Sequence, residues 1–152
     1  MPPMTADDPS DAEIVRGLTR HPRGRWEELF ALADELAAGT GHVRWEEPRD
    51  LGDGSIQLGY PVYSDTVDRI HQLLYELDVI VAFPWRDWDG ARRYTTPQAI
   101  EAGPVADAAR MATVIFRAER FGDGHIASAI SDGRLAAILG RLRRFHHEAT
   151  GP

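Results

Sequence analysis

Two short stretches of this chain bring together residue types that can do chemistry. Arg117-Ala-Glu-Arg-Phe-Gly-Asp-Gly-His125 sets two arginines, an acid, two glycines and a histidine at a junction between two helical patterns. On a continuous helix Arg117 and Arg120 share a face, where paired guanidinium forks can hold a phosphate or a carboxylate. The Gly122-Asp123-Gly124 turn leads into a new helix whose free N–H groups can face the same anion. His125 stands in that helix's first turn and can move a proton near neutral pH. The same residues also make an ordinary corner: Gly122 ends one helix, Asp123 caps the next, and the arginines pair with Glu119, Asp123 or carbonyls.

Phe83-Pro-Trp-Arg-Asp-Trp88 is the aromatic counterpart. Trp85, Trp88, Tyr60, Tyr63 and Tyr94 can wall a pocket in which Arg117 or Arg120 stacks on a ring or orients a polar ligand. Tryptophan and tyrosine are also core fillers whose N–H or O–H needs one partner. Arg86 and Asp87, lying between the tryptophans, exclude uniform burial of this segment. The candidate ligand-binding residues are therefore Trp85, Trp88, Arg117, Arg120, Tyr60 and Tyr63. The catalytic residues are unknown; His125 and Asp123 are the groups on hand for acid–base work.

Other chemistries find less support. The histidines, at 21, 42, 71, 125, 146 and 147, include no pair four apart as on a zinc-binding helix. Asp68 and His71 share a face without a third ligand in sight. No metal and no cofactor are expected. No serine occupies a strand-turn-helix elbow, and the glycines at 51–54 and 122–124 match neither a phosphate-binding loop nor a dinucleotide fingerprint. Cysteine is absent, which removes thiolate ligands, thiol nucleophiles and disulfides together. The net charge of −7 disfavours general nucleic-acid binding, which draws on neutralising phosphates. The basic cluster Arg141, Arg143, Arg144, His146 and His147 runs against that charge and reads as a solvated helix end.

The elements that position these residues follow from periodicity. At 152 residues the chain fits one domain with a sizeable core. Residues 1–9 read as a disordered tail, acidic and without the basic start and apolar run of a signal peptide. No stretch approaches the ~20 apolar residues that cross a bilayer, so the expected setting is cytoplasmic, away from membranes. Ser10 caps a short helix carrying Ile14, Val15 and Leu18, and Pro22 opens a second one with Trp26, Leu29, Phe30, Ala33 and Leu36 on its buried face. Gly39 and Gly41 end it. The alternating segment 42–46 is expected to pair with 55–59 across the turn at 50–54, a small hairpin near residues 42–59. Tyr60-Pro-Val-Tyr63 leads out of it to a helix capped by Ser64 or Asp65, with Val67, Ile70, Leu73, Leu74 and Leu77 inward. Val79–Phe83 reads as a buried extended run. Thr96-Pro97 caps a short helix closed by Gly103, and the longest helix is expected from Pro104 to Phe121. A short helix holding Ile126 and Ile130 follows. A last one carries Leu135, Ile138, Leu139, Leu142 and Phe145, and 148–152 form a tail. The fold class is mostly α: a single helical domain over residues 10–147, with four to six helices around one core.

From Tyr60 onward the order of residues resembles the DUF6508 family of uncharacterised bacterial proteins. The likeness is carried by Pro61-Val-Tyr-Ser64, Leu74-Tyr75, Val81-Ala-Phe-Pro-Trp85, Trp88, Tyr94, Arg117-Ala-Glu-Arg-Phe121, Gly124-His-Ile126 and Gly133-Arg-Leu-Ala-Ala-Ile-Leu139. It extends over roughly residues 26–145. This chain departs from the pattern at Pro84, where an aspartate is favoured, and at Leu77-Asp78, where a helix-ending glycine is usual. The resemblance implies a largely helical bacterial domain and supplies no reaction.

Three functional readings result. The first is a binding or interaction module using the tryptophan segment 83–88 and the junction 117–125, with a protein partner or a second copy of the chain. The second is a small cofactor-free enzyme acting on an anionic or aromatic small molecule. The third is a nucleic-acid accessory protein using the basic C-terminal helix. The first is the expectation.

Overall fold

Local capping chemistry sets most of the boundaries in the computed structural model, which describes residues 8–150. Helix α1 (Asp11–Leu18) begins with a capping box: the Ser10 hydroxyl accepts from the Glu13 N–H, and the Glu13 carboxylate accepts from Ser10. Helix α2 (Arg23–Ala38) starts after Pro22 and stops at Gly39. Four strands follow, β1 (Val43–Glu46), β2 (Arg49–Asp50), β3 (Ile56–Gln57) and β4 (Tyr60–Tyr63). Ser64 caps α3 (Asp65–Glu76), accepting from the Val67 N–H. An irregular stretch then carries two short 3₁₀ turns, Trp85–Asp87 and Asp89–Arg92. Thr96 and Pro97 open α4 (Pro97–Ala102) as expected, and α5 (Val105–Ala118), α6 (His125–Ser131) and α7 (Arg134–Thr150) complete the chain. The described residues thus hold seven helices, since the short segments at 97 and 125 each complete their own turns.

Helix α5 is the hub. Val105, Ala106, Ala108, Ala109, Met111, Ala112, Ile115 and Phe116 are all buried, and α1, α4, α6, α7 and both 3₁₀ turns pack on it. Its alanines let neighbours approach closely, while Met111 and Phe116 supply bulk. Helices α2, α3 and α7 close the other side through Trp26, Leu29, Ile70, Leu73, Leu74, Ile138 and Leu142. The run after α3 is anchored rather than sheet-paired: Thr113 on α5 accepts from the Val81 N–H at 3.0 Å and donates to the Ala109 carbonyl.

Three expectations need correction. The hairpin turns where expected, but its partners are shifted: β1 pairs with β4, Val43 opposite Tyr63 and Glu46 opposite Tyr60, while β2 pairs with β3. The cause is the tightness of the tip. Leu51 donates to the Ser55 carbonyl, leaving Gly52-Asp53-Gly54 as the loop, with φ of 79° and 89° at its glycines. Closing there puts Tyr60–Tyr63, expected to lead out of the hairpin, opposite 43–46. The two ladders keep one register and are interrupted at Pro48, which has no N–H to donate, and at Gly59, where a Cβ would lie 2.9 Å from the Glu46 carbonyl.

Helix α5 does not run to Phe121. It ends at Ala118, and the longest helix is α7 with 17 residues against 14. Past Ala118 the chain tightens: Arg120 donates to the Arg117 carbonyl and Phe121 to that of Ala118. At the C-terminus, 148–150 continue α7 rather than beginning a tail. Residues 1–7 of the expected N-terminal tail and 151–152 of the C-terminal one lie outside the described residues. Pro9, however, is tied to the body, its carbonyl accepting from Arg110 at 3.3 Å.

Candidate functional site

The bend between α5 and α6 is organised by one carboxylate. Glu119 accepts from the Ile126 N–H at 2.7 Å, the Gly124 N–H at 2.8 Å and the Tyr63 hydroxyl at 2.9 Å. Tyr63 in turn accepts from the Ala127 N–H at 3.2 Å. The amides expected to face a ligand are thus met by the chain's own anion. Asp123, expected to cap α6, is exposed, and the capping position belongs to Gly124 at φ 103°. That glycine also lies under Trp45 of β1, whose ring edge would stand 3.1 Å from an added Cβ. Burial, and then the Glu119 hydrogen bond, push the Tyr63 phenol above its ordinary range, so it stays protonated.

The tryptophan segment reaches this bend through Phe121. The Trp85 and Phe121 rings lie 6.1 Å apart, and the Arg86 guanidinium sits 4.1 Å over Phe121 and 5.2 Å from the Trp85 ring. Phe121 is 71% exposed. Trp88 serves differently: it stacks on Tyr94, meets Phe83 edge-on and packs against the core. Tyr94 is buried and donates to Asp107. Among the tyrosines, Tyr63 joins the bend, whereas Tyr60 lies on the opposite face of β4.

Arg117 and Arg120 do not form a pair on one helix, because Arg120 lies beyond the end of α5. Arg117 is half-buried over the Tyr75 ring at 5.5 Å. Arg120 and His125 are exposed. None of these three side chains makes a hydrogen bond or ion pair with a described residue. Beside Arg117, His71 is sandwiched between Phe116 at 4.7 Å and Tyr75 at 5.4 Å. Burial pushes its imidazole below the usual range, against the pull of Asp68 and Glu119. The unfolded chain therefore binds this proton more readily. Stability should fall as pH drops below about 6.5, the unfolded histidine value, and level off once the folded group also titrates. His146, likewise lowered by burial, adds to the same slope. Thermal midpoints of wild type and His71→Gln between about pH 5 and 7.5 check this; the variant should show the shallower decline.

The basic C-terminal cluster is engaged with the fold. Arg141 donates to the Gly103 carbonyl, Arg144 to that of Glu101, and Arg143 to Asp34. His146 lies 5.6 Å from Phe30 and 5.9 Å from Trp26. These contacts fasten α7 to α2 and α4. Among the described residues no three His, Asp or Glu side chains come together as metal ligands would. Among the described residues, grooves of about 500, 380 and 180 Å³ open beside α1 and Asp78, between the hairpin base and α6 against Trp45 and Ala127, and beside Trp26 and Phe145.

Sequence reasoning passed over the residues that organise the bend most directly. Arg86 was visible only as a charge between tryptophans and Phe121 only as part of the junction. Glu119 carried no local cap signal. Trp45 read as one residue of a strand.

The fold places the chain in a class, mostly α-helical domains with a single hairpin arm. It belongs to the family of unknown function DUF6508, whose model matches residues 21–148; α1 lies before the matched region. No curated protein and no solved structure matches the chain. No helix among the described residues is long and apolar enough to cross a membrane.

Proposed function

We propose that this protein is a small bacterial, cytoplasmic binding module whose α5–α6 bend takes an anionic group carried on an aromatic or apolar body. The supporting observation is the exposed Phe121 ring, with the Arg86 guanidinium 4.1 Å above it and Trp85 alongside. Aromatic and arginine side chains concentrate where partners bind, the rings bringing large contact area with few rotors to freeze and the guanidinium bringing directed donors. Arg120, exposed and without an ion-pair partner among the described residues, is a second cation, next to Phe121 in the chain. A −7 chain that sets the Arg86 guanidinium over an exposed ring offers a local contrast suited to an acidic ligand. The cytoplasmic part of this reading draws on the absence of cysteine, which fits a reducing compartment. Binding is favoured over turnover because two acid–base groups of the bend, Glu119 and Tyr63, are committed to one another and to α6 amides, while Asp123 and His125 are exposed to solvent.

Calorimetric titration with phenyl phosphate and benzoate tests the reading. Binding is expected in wild type. Arg120→Ala and Arg86→Ala should each weaken it about tenfold, the worth of one charge-assisted contact. Arg120→Ala should leave the unfolding free energy within about 0.5 kcal/mol of wild type, as for other exposed positions. No heat from either anion, or variants that bind like wild type, would remove the bend from consideration.

A further inference from the structure

The hairpin carries apolar surface that its own fold leaves uncovered. Among the large apolar side chains exposed in the described residues, Trp45, Leu51, Ile56, Leu58 and Tyr60 are all on it, leaving Tyr75 and Phe121 elsewhere. Their arrangement is ordered. Ile56, Leu58, Tyr60 and Val62 alternate along one strand and so share one face. Ile56 and Leu58 are 68% and 77% exposed and Tyr60 37%. On the neighbouring strand the same face presents Arg44 at the base, then Glu46, Pro48 and, near the tip, Asp50, as the common register requires.

We propose that this face is an interface with a second copy of the chain. Consider a two-fold axis lying in the contact plane and crossing the strands at Glu47 and Gly59. It lays one apolar row over the other with strand directions opposed. Ile56 of one copy then meets Val62 of the other, and Leu58 meets Tyr60. On the flanking strand the same operation sets Arg44 against Asp50 of the second copy, twice. Apolar side chains thus meet apolar ones and the base cation meets the tip anion. Charge complementarity of this kind is what selects a second copy over other apolar partners. Arg44, paired within its chain to Glu46, would bridge that acid and the incoming Asp50. A contact about 20 Å long and two strands wide is small, so the dimer forms in the micromolar range and depends on concentration.

Sedimentation velocity of the full chain from about 5 to 500 µM reads this out, a range that brackets a contact of such size. The average mass is expected to rise toward twice the monomer. Leu58→Glu, at an exposed position, should stay monomeric throughout with an unchanged melting temperature. Asp50→Arg should weaken association about tenfold or more, by setting arginine against Arg44 at each of the two symmetric contacts. Arg44→Glu combined with Asp50→Arg should restore it. Asp50 also accepts the Gly52 N–H in the turn, and both variants lose that bond, so recovery isolates the contact between copies. A wild type that remains monomeric across the range overturns the proposal. So does a Leu58→Glu dimer, or a double variant as weak as the single one.

Discussion

Glu119→Ala should be among the most damaging single substitutions at the bend, lowering stability by about 3 kcal/mol through loss of charge-assisted hydrogen bonds and the donors left behind. Three donors converge on this carboxylate: the Gly124 and Ile126 amides and the Tyr63 hydroxyl. Truncation leaves them facing a part-buried gap at the start of a seven-residue helix with no other side-chain cap. For a chain of this size the melting temperature should drop by about 6–12 °C. Glu119→Gln, which keeps one acceptor oxygen, should recover part of the loss. Thermal and urea unfolding of the three proteins would decide it; an unchanged midpoint in Glu119→Ala would mean that solvent serves these amides equally well.

Arg110→Ala should cost about 3–5 kcal/mol, the range for removing one partner of a buried ion pair. Arg110 is 5% exposed in the middle of α5. Its guanidinium donates to Asp107 at 2.7 Å, pairs with Asp11 of α1 at 2.7 Å and reaches the Pro9 carbonyl. Asp107, its side chain 13% exposed, also accepts from Tyr94. The damage comes from the Asp107 limb, because the loss strands a carboxylate away from water. The Asp11 limb is mostly exposed and adds less to the total, but with the Pro9 contact it ties the start of α1 to α5. A second signature separates this from generic destabilisation: α1 should lose its hold, so amides of Ile14 and Val15 should exchange with solvent well before those of α5. Equal protection in both helices would count against the latching role.

Local signals were legible in the sequence, and long-range ones were not. Ser10 with Glu13, Ser64 before Val67, and Thr96 with Pro97 are caps whose partners lie within three residues, so composition and spacing suffice to find them. The buried faces of α3 and α7 follow from periodicity for the same reason. The hairpin shows where this stops. Its glycines announce a turn, but the register depends on how tightly the loop closes, and a different closure shifts every partner. At the bend, Glu119 finds Tyr63 at a separation of 56 residues, a pairing that no spacing rule encodes. The Arg141–Arg144 cluster misleads in the same way, since a charged side chain on a helix reads as solvated until another helix delivers its acceptor. Aspartate 78 is a milder case. It adopts φ 60° at the end of α3, a left-handed conformation that favours glycine, and its carboxylate pairs with His21 at 2.7 Å.

The gap at Pro48 and Gly59 also divides the arm mechanically. The inner ladder is fastened to the body by Tyr63, whereas the outer ladder is two residue pairs with every side chain in solvent. Such a segment opens at little free-energy expense, independently of global unfolding. The far end of the arm can therefore breathe while its base stays shut, and whatever it touches first encounters the least protected backbone in the hairpin.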